Sequence, residues 1–263
     1  MPETGTLLAA ITALAHAAGR EVMKIYAEPV TASVKADLTP VTEADLAAER
    51  IILEGLAQLA PDIPVISEEA ASQGRIPETA HRFFLVDPLD GTREFISRNG
   101  EFTINIALIE NEQPVAGVVY APAIHRIFRG ASGHKAEQAT LAAEDAETSA
   151  QWLPIRALPV PERALRVVAS RSHRDAETDA FLAARDVETL VAAGSSLKFC
   201  LIAAGEADLY PRFGRTMEWD TAAGHAVLAA AGGKVTLGDG QTPLVYGKRA
   251  RGYDNPAFIA AGV

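Results

Sequence analysis

The sequence has 263 residues, 48% hydrophobic and 22% charged, which excludes a wholly disordered chain because so much apolar surface can offset the entropy of ordering. Its 34 acidic and 24 basic side chains leave a formal net charge of −10, which argues against a nucleic-acid polymer as partner, since phosphate backbones reward clustered cations. A phosphorylated small molecule stays open if divalent ions supply the missing positive charge, and the single cysteine, Cys200, closes no intramolecular disulfide and fits a reducing compartment.

The apolar run at 7–15 follows Glu3 and precedes the first basic residue, Arg20. That is the reverse of a secretory leader, and the run is too short to span a bilayer. Residues 4–26 therefore read as an amphipathic helix, with a cytoplasmic location and no integral membrane segment expected. A second helix is expected from about 42 to 59, with Leu46, Leu53 and Leu56 on one face. Residues 64–67 read as a short strand leading into Glu68-Glu69. Residues 83–86 read as a buried strand stopped by Asp87-Pro88. Alternation of Phe102, Ile104, Ile106 and Leu108 with Thr103, Asn105 and Ala107 marks a strand, which a turn at 111–114 returns as a hairpin over 115–120.

From 131 to 163 the pattern loosens, with Pro154, Pro159 and Pro161 close together. The segment reads as a peripheral excursion, and a boundary placed there divides the chain into subdomains 1–160 and 161–263. Beyond it, strands are expected at 165–169, 187–191 and 208–210, and helices at 175–185, 196–205 and 221–231, an alternation that suggests layered helices and sheet.

The most informative stretch is Asp87-Pro88-Leu89-Asp90-Gly91-Thr92. Pro88 fixes one dihedral and Gly91 permits a tight turn, so both carboxylates can point the same way, joined by the Leu89 carbonyl. These are hard oxygen donors. The six histidines show no metal-ligand spacing, so magnesium is favoured over zinc. Read alone, the same residues are also a respectable turn signal. Glu68-Glu69 can be a solvated loop, Asp220 a helix N-cap, and Asp45 a capping-box partner of Thr42. Together they place four or five carboxylates on element ends, where sites tend to be built.

Four segments, PVTEAD at 40–45, SEE at 67–69, VDPLDGT at 86–92 and WDTAAG at 219–224, occur in an order that resembles the inositol monophosphatase superfamily of magnesium-dependent, lithium-sensitive phosphatases. DPLDGTREFISRNGEFTIN at 87–105, GSSLKFC at 194–200 and YPRFG at 210–214 are similar to its 3'(2'),5'-bisphosphate nucleotidase branch. The resemblance implies an α/β (α+β) fold, a layered α-β-α-β-α sandwich in two subdomains. The implied activity removes the 3'-phosphate of adenosine 3',5'-bisphosphate by direct attack of a metal-activated water, without a covalent phosphoenzyme. It allows 3'-phosphoadenylyl sulfate as a second substrate. An inositol or sugar phosphatase with the same metal core, or a non-catalytic metal- or nucleotide-binding relative, are the alternatives.

The resemblance also implies roles. Glu68, Asp87 and the Leu89 carbonyl would hold one magnesium, Asp87, Asp90 and Asp220 a second, and a third would sit near Glu68, giving two or three ions. Asp45, Thr92 and Glu68 would be catalytic, with Thr92 hydrogen-bonded to Asp45 and orienting the water. Glu68, Leu89, Asp90, Gly91, Thr92 and Asp220 would also meet the substrate. Ser195, Ser196, Lys198 and Arg212 are candidates for ribose, base or the distal phosphate. For Ser196 a helix cap, and for Arg212 a surface salt bridge, are the plain readings. Residues 170–173 could touch nucleotide. Cys200 and His225 read as packed, and Trp219 and Phe213 as core. Oligomeric state is open.

Overall fold

The computed structural model describes residues 3–29, 32–34, 40–79, 81–170 and 174–263. Helix α1 (Thr4–Ala27) buries Leu7, Ile11, Ala15, Ala18 and Val22, and packs against α2 (Glu43–Leu59). Between them, β1 (Ala32–Val34) and β2 (Pro40–Thr42) pair antiparallel. The buried face of α2 only partly matches the leucine face expected from spacing. Ala44, Ala48, Ile52 and Leu56 are buried, whereas Leu46 is 48% exposed. Alanines let the helix seat closely, so the large leucines are a poor guide to its inner side.

A seven-stranded sheet follows in chain order: β3 (Val65–Ser67), β4 (Arg82–Asp90), β5 (Thr103–Glu110), β6 (Gln113–Ala121), β7 (Arg126–Ala131), β8 (Glu137–Thr140) and β9 (Leu153–Pro154). β3 runs parallel to β4 and the later neighbours are antiparallel. Short helices α3 (Glu68–Ser72) and α4 (Thr92–Ile96) follow β3 and β4. Two expectations are corrected here. β4 does not stop at Asp87-Pro88 but continues to Asp90, because a register shift between Asp87 and Asp90 takes up the proline. Nor is the stretch after 131 a peripheral excursion. It adds β8 and β9 to the sheet and buries Ala136, Ala139, Leu141 and Ala157.

The second half supplies β10 (Leu165–Ser170), α5 (Ala176–Ala183), β11 (Val187–Ala193), α6 (Leu197–Ala203), β12 (Leu209–Arg212), α7 (Glu218–Ala230), β13 (Lys234–Leu237) and β14 (Phe258–Ala261). Its sheet has the order β11-β10-β12-β14-β13. The last two strands carry no strong pattern in the sequence and are not expected from it.

Helices α6 and α7 lie between the sheets. Phe199, Ala222, Ala223 and Val227 share one core with Leu85, Ala107 and Val119 of the larger sheet and with Val168, Tyr210 and Phe258 of the smaller. On the other face of β5, Ile104, Ile106 and Leu108 pack with α1 and α2. α5 covers the outer face of the smaller sheet through Leu182. The layers are α-β-α-β-α, as expected. α7 sits close on β6 because Gly117 has no side chain: a Cβ there would lie 2.5 Å from the Ala223 carbonyl. No helix among the described residues is long and apolar enough to cross a membrane.

Candidate active site

Three element ends converge on one cleft. Glu68 opens α3, Asp87 sits in the bulged end of β4, and Asp220 is the third residue of α7. A carboxylate oxygen from each lies within 4.8 Å of the other two. The Asp87 carboxylate accepts the Leu89 amide at 3.1 Å, a bond that folds the bulge around it. Asp220 is not the N-cap of α7. It acts from inside the helix, its Oδ2 accepting the Met217 amide at 2.8 Å.

Asp90 lines the same cleft but stands outside the trio. Its Oδ2 lies 3.3 Å from Ser196 Oγ and 3.5 Å from Asn105 Nδ2. Burial raises its pKa to about 6, against the pull of Lys198 and with Glu68 and Glu94 adding to the rise. Asp220 is pushed well above the ordinary range by burial, then by Asp90 and Glu68. Crowded, buried carboxylates of this kind are poised for a divalent cation, which would remove the repulsion.

Asp45 shows that its two readings coexist. Its Oδ2 accepts from the Thr42 amide at 2.8 Å and the Thr42 hydroxyl at 2.6 Å, completing a capping box on α2. Its Oδ1 accepts from Thr92 Oγ1 at 3.0 Å. Burial raises the pKa of Asp45, and the bonds from Thr42 and Thr92 oppose that rise. Gly91, at the start of α4, has φ +92°, and a Cβ there would lie 2.4 Å from Ser195 Oγ. Only glycine fits both constraints.

Ser195 and Lys198 line the cleft and Ser196 lies behind them, all three with their polar groups already engaged. Ser195 Oγ lies 2.7 Å from the Asp90 carbonyl and 2.8 Å from that of Glu101. Ser196 is 1% exposed. Its hydroxyl donates to the Asp220 carbonyl at 2.6 Å, and it makes no side-chain cap on α6. Lys198, 4% exposed, donates to the carbonyls of Ser195 at 2.5 Å and Ala193 at 3.2 Å. Burial lowers it to about 8, with Asp90 pulling the other way. Arg212 is 6% exposed, so it is not a surface residue, and it lines the cleft while donating to the carbonyls of Gly214 at 3.0 Å and Arg215 at 2.7 Å. Ser170 also lines the cleft, and Arg171, Ser172 and His173 lie outside the described residues.

Two groups escaped the sequence reading. Glu49, on α2, accepts from Ser67 Oγ at 2.5 Å and from the Ala70 amide at 3.0 Å, pinning the turn that presents Glu68. Asn105 donates to Ser196 Oγ at 2.9 Å. A polar residue between Ile104 and Ile106 reads as solvent-facing, yet it is buried. His225 is also buried, 3.0 Å from the Tyr246 hydroxyl, and is pushed down to about 3 by burial. Burial pushes the Cys200 thiol up, so it offers no thiolate.

The model of the inositol monophosphatase family matches residues 4–261. The chain belongs to that family. It is 44% identical over 254 residues to CysQ of Escherichia coli K12, named a 3'(2'),5'-bisphosphate nucleotidase, covering 96% of this chain and 98% of that one. The Buchnera aphidicola protein of the same name is 40% identical over 260 residues, covering 98% and 94%. The crystal structure of CysQ from Bacteroides thetaiotaomicron superposes with a TM-score of 0.79 at 36% identity, covering 98% and 97%. An inositol monophosphatase from Anabaena gives 0.74 at 27%, covering 98% and 90%. The family is metal-dependent, generally on Mg2+. The trio here fits that requirement, since it offers hard oxygen donors alone, one of them buried and two half-buried, within reach of one another.

Proposed function

We propose that the protein is a magnesium-dependent 3'(2'),5'-bisphosphate nucleotidase that converts adenosine 3',5'-bisphosphate to AMP and phosphate. The Glu68, Asp87 and Asp220 trio supports the metal chemistry, and identity to CysQ proteins along nearly the whole chain supports the nucleotide substrate. Two or three ions are assigned: one to Glu68, Asp87 and the Leu89 carbonyl, one to Asp87, Asp90 and Asp220, and a third beside Glu68. We read 1–160 and 161–263 as subdomains, a division supported by their separate sheets. A cytoplasmic setting goes with the lone cysteine, buried as a free thiol.

When bound, the ions neutralise the carboxylates, stabilise charge on the phosphoryl and leaving oxygens, and favour loss of a proton from water. The protein's own part is orientation. Thr92 Oγ1 gives its hydrogen to Asp45 Oδ1, which leaves its lone pairs to accept from the attacking water and aim it at phosphorus. The amides at Gly91 and Thr92 would donate to phosphate oxygens. Arg212 supplies a fixed cation on the opposite wall for the second phosphate. The P–O3' bond breaks as the water–phosphorus bond forms; one proton of the water stays on the phosphate, and the other reaches the 3'-oxygen through solvent, so that it leaves as a hydroxyl.

Phosphate release from adenosine 3',5'-bisphosphate and from inositol monophosphate tests this reading. The nucleotide is expected to win in kcat/KM by about two orders of magnitude, and excess chelator should abolish both rates. Preference for inositol phosphate would sink the substrate assignment, and activity in chelator would sink the metal assignment.

A further inference from the structure

The two halves of the cleft are joined by a buried polar chain. Asn105 projects from β5 of the larger sheet, and Ser196 stands at the start of α6. Asn105 Nδ2 donates to Ser196 Oγ at 2.9 Å and lies 3.5 Å from Asp90 Oδ2. Ser196 Oγ passes its own hydrogen to the Asp220 carbonyl at 2.6 Å, with Asp90 Oδ2 at 3.3 Å. The pair therefore touches the side chain of one acidic residue and the backbone of the other. Asn105 is otherwise poorly placed for stability, since its Oδ1 is buried without a hydrogen-bond partner. An isosteric leucine would avoid that desolvation penalty.

We propose that Asn105 and Ser196 are positioning residues that set the separation of Asp90 and Asp220, and hence the affinity for the divalent ion those carboxylates share. This rests on the metal reading given above. Ser196 then serves the ion site from behind, and its hydroxyl does not contact the nucleotide.

The test titrates Mg2+ calorimetrically into the metal-free full chain and melts the same samples. Ser196→Ala and Asn105→Leu are each expected to weaken Mg2+ binding about tenfold, as loss of groups that hold metal ligands does. The double variant should be little weaker than either, because both act through one chain of bonds. The metal-free melting temperature of Asn105→Leu should hold or rise, which a packing role would not allow. Unchanged Mg2+ affinity with a lowered melting temperature would overturn the proposal. So would unchanged Mg2+ affinity with a raised KM for the nucleotide, which would make Ser196 a substrate contact. If Asn105→Leu does not fold, Ser196→Ala carries the same readings, since it removes one oxygen only. Wild-type protein that binds no Mg2+ would sink the metal reading and this proposal together. A preference for inositol phosphate would overturn the substrate alone, because ion binding is the readout here.

Discussion

Replacing Asp87 by Asn is expected to lower kcat/KM by about three orders of magnitude and to raise the melting temperature of the metal-free protein. The amide keeps the side chain's shape and can still accept the Leu89 amide that Asp87 Oδ1 accepts at 3.1 Å. What it removes is one charge from three carboxylates held within 4.8 Å. Without metal, that charge repels its neighbours and destabilises the fold. With metal, it would be a ligand to both proposed ions. The substitution should therefore move stability and activity in opposite directions, as seen in melts with and without EDTA beside initial rates over a Mg2+ series. Unchanged kcat/KM would contradict the assignment.

The pH dependence of the metal-free fold has the same origin. Asp90 is raised from 3.8 to about 6, so the folded protein keeps a proton that the unfolded chain releases. That stabilisation is complete below 3.8 and is lost as pH rises through about 6. Added Mg2+ should accordingly stabilise most above that window.

Thr92→Ala is expected to cut kcat by about 10²–10³ while changing KM little. In the proposed mechanism the hydroxyl orients water rather than holding substrate, so its effect would belong to the transition state. Thr92→Ser should restore most of the rate. Asp45→Asn should resemble Thr92→Ala for a reason specific to this geometry. The Asn oxygen must take the place of Asp45 Oδ2, which accepts both the Thr42 amide and hydroxyl. Its NH2 group then faces Thr92 Oγ1 and donates to it, occupying one of the two lone pairs and turning the threonine hydrogen toward the water it should accept from. A steady-state series on the three variants separates these effects. Equal loss of kcat/KM through KM alone would assign Thr92 to substrate binding.

The parts of the site that the sequence makes legible are those where several residues must cooperate within a few positions. Asp87-Pro88-Leu89-Asp90-Gly91-Thr92 carries its turn, its donors and its helix start together. The misreadings arise where a partner comes from far along the chain. Asp87-Pro88 looks like a strand end because proline removes a ladder donor, yet the pairing of β4 with β5 resumes at Asp90↔Thr103. Glu49 looks like an exposed helix residue, and only the fold brings Ser67 to it. Beside the ligand contacts expected of Ser195 and Ser196, their hydroxyls have protein partners of the same distant kind. The carbonyls that engage them belong to residues 90, 101 and 220, which no local pattern brings near. The α2 face misleads for a different reason, since alanine signals close packing weakly and leucine signals burial strongly, and here the alanines point inward.

Everything in this account depends on one acidic pocket holding divalent ions beside a phosphoester. Anomalous diffraction from a crystal soaked in Mn2+, a hard cation that takes the same oxygen ligands as Mg2+, tests that directly. The account predicts strong peaks bonded to the carboxylates of Glu68, Asp87 and Asp220. A clean map at those three side chains, with ions elsewhere or nowhere, would contradict it.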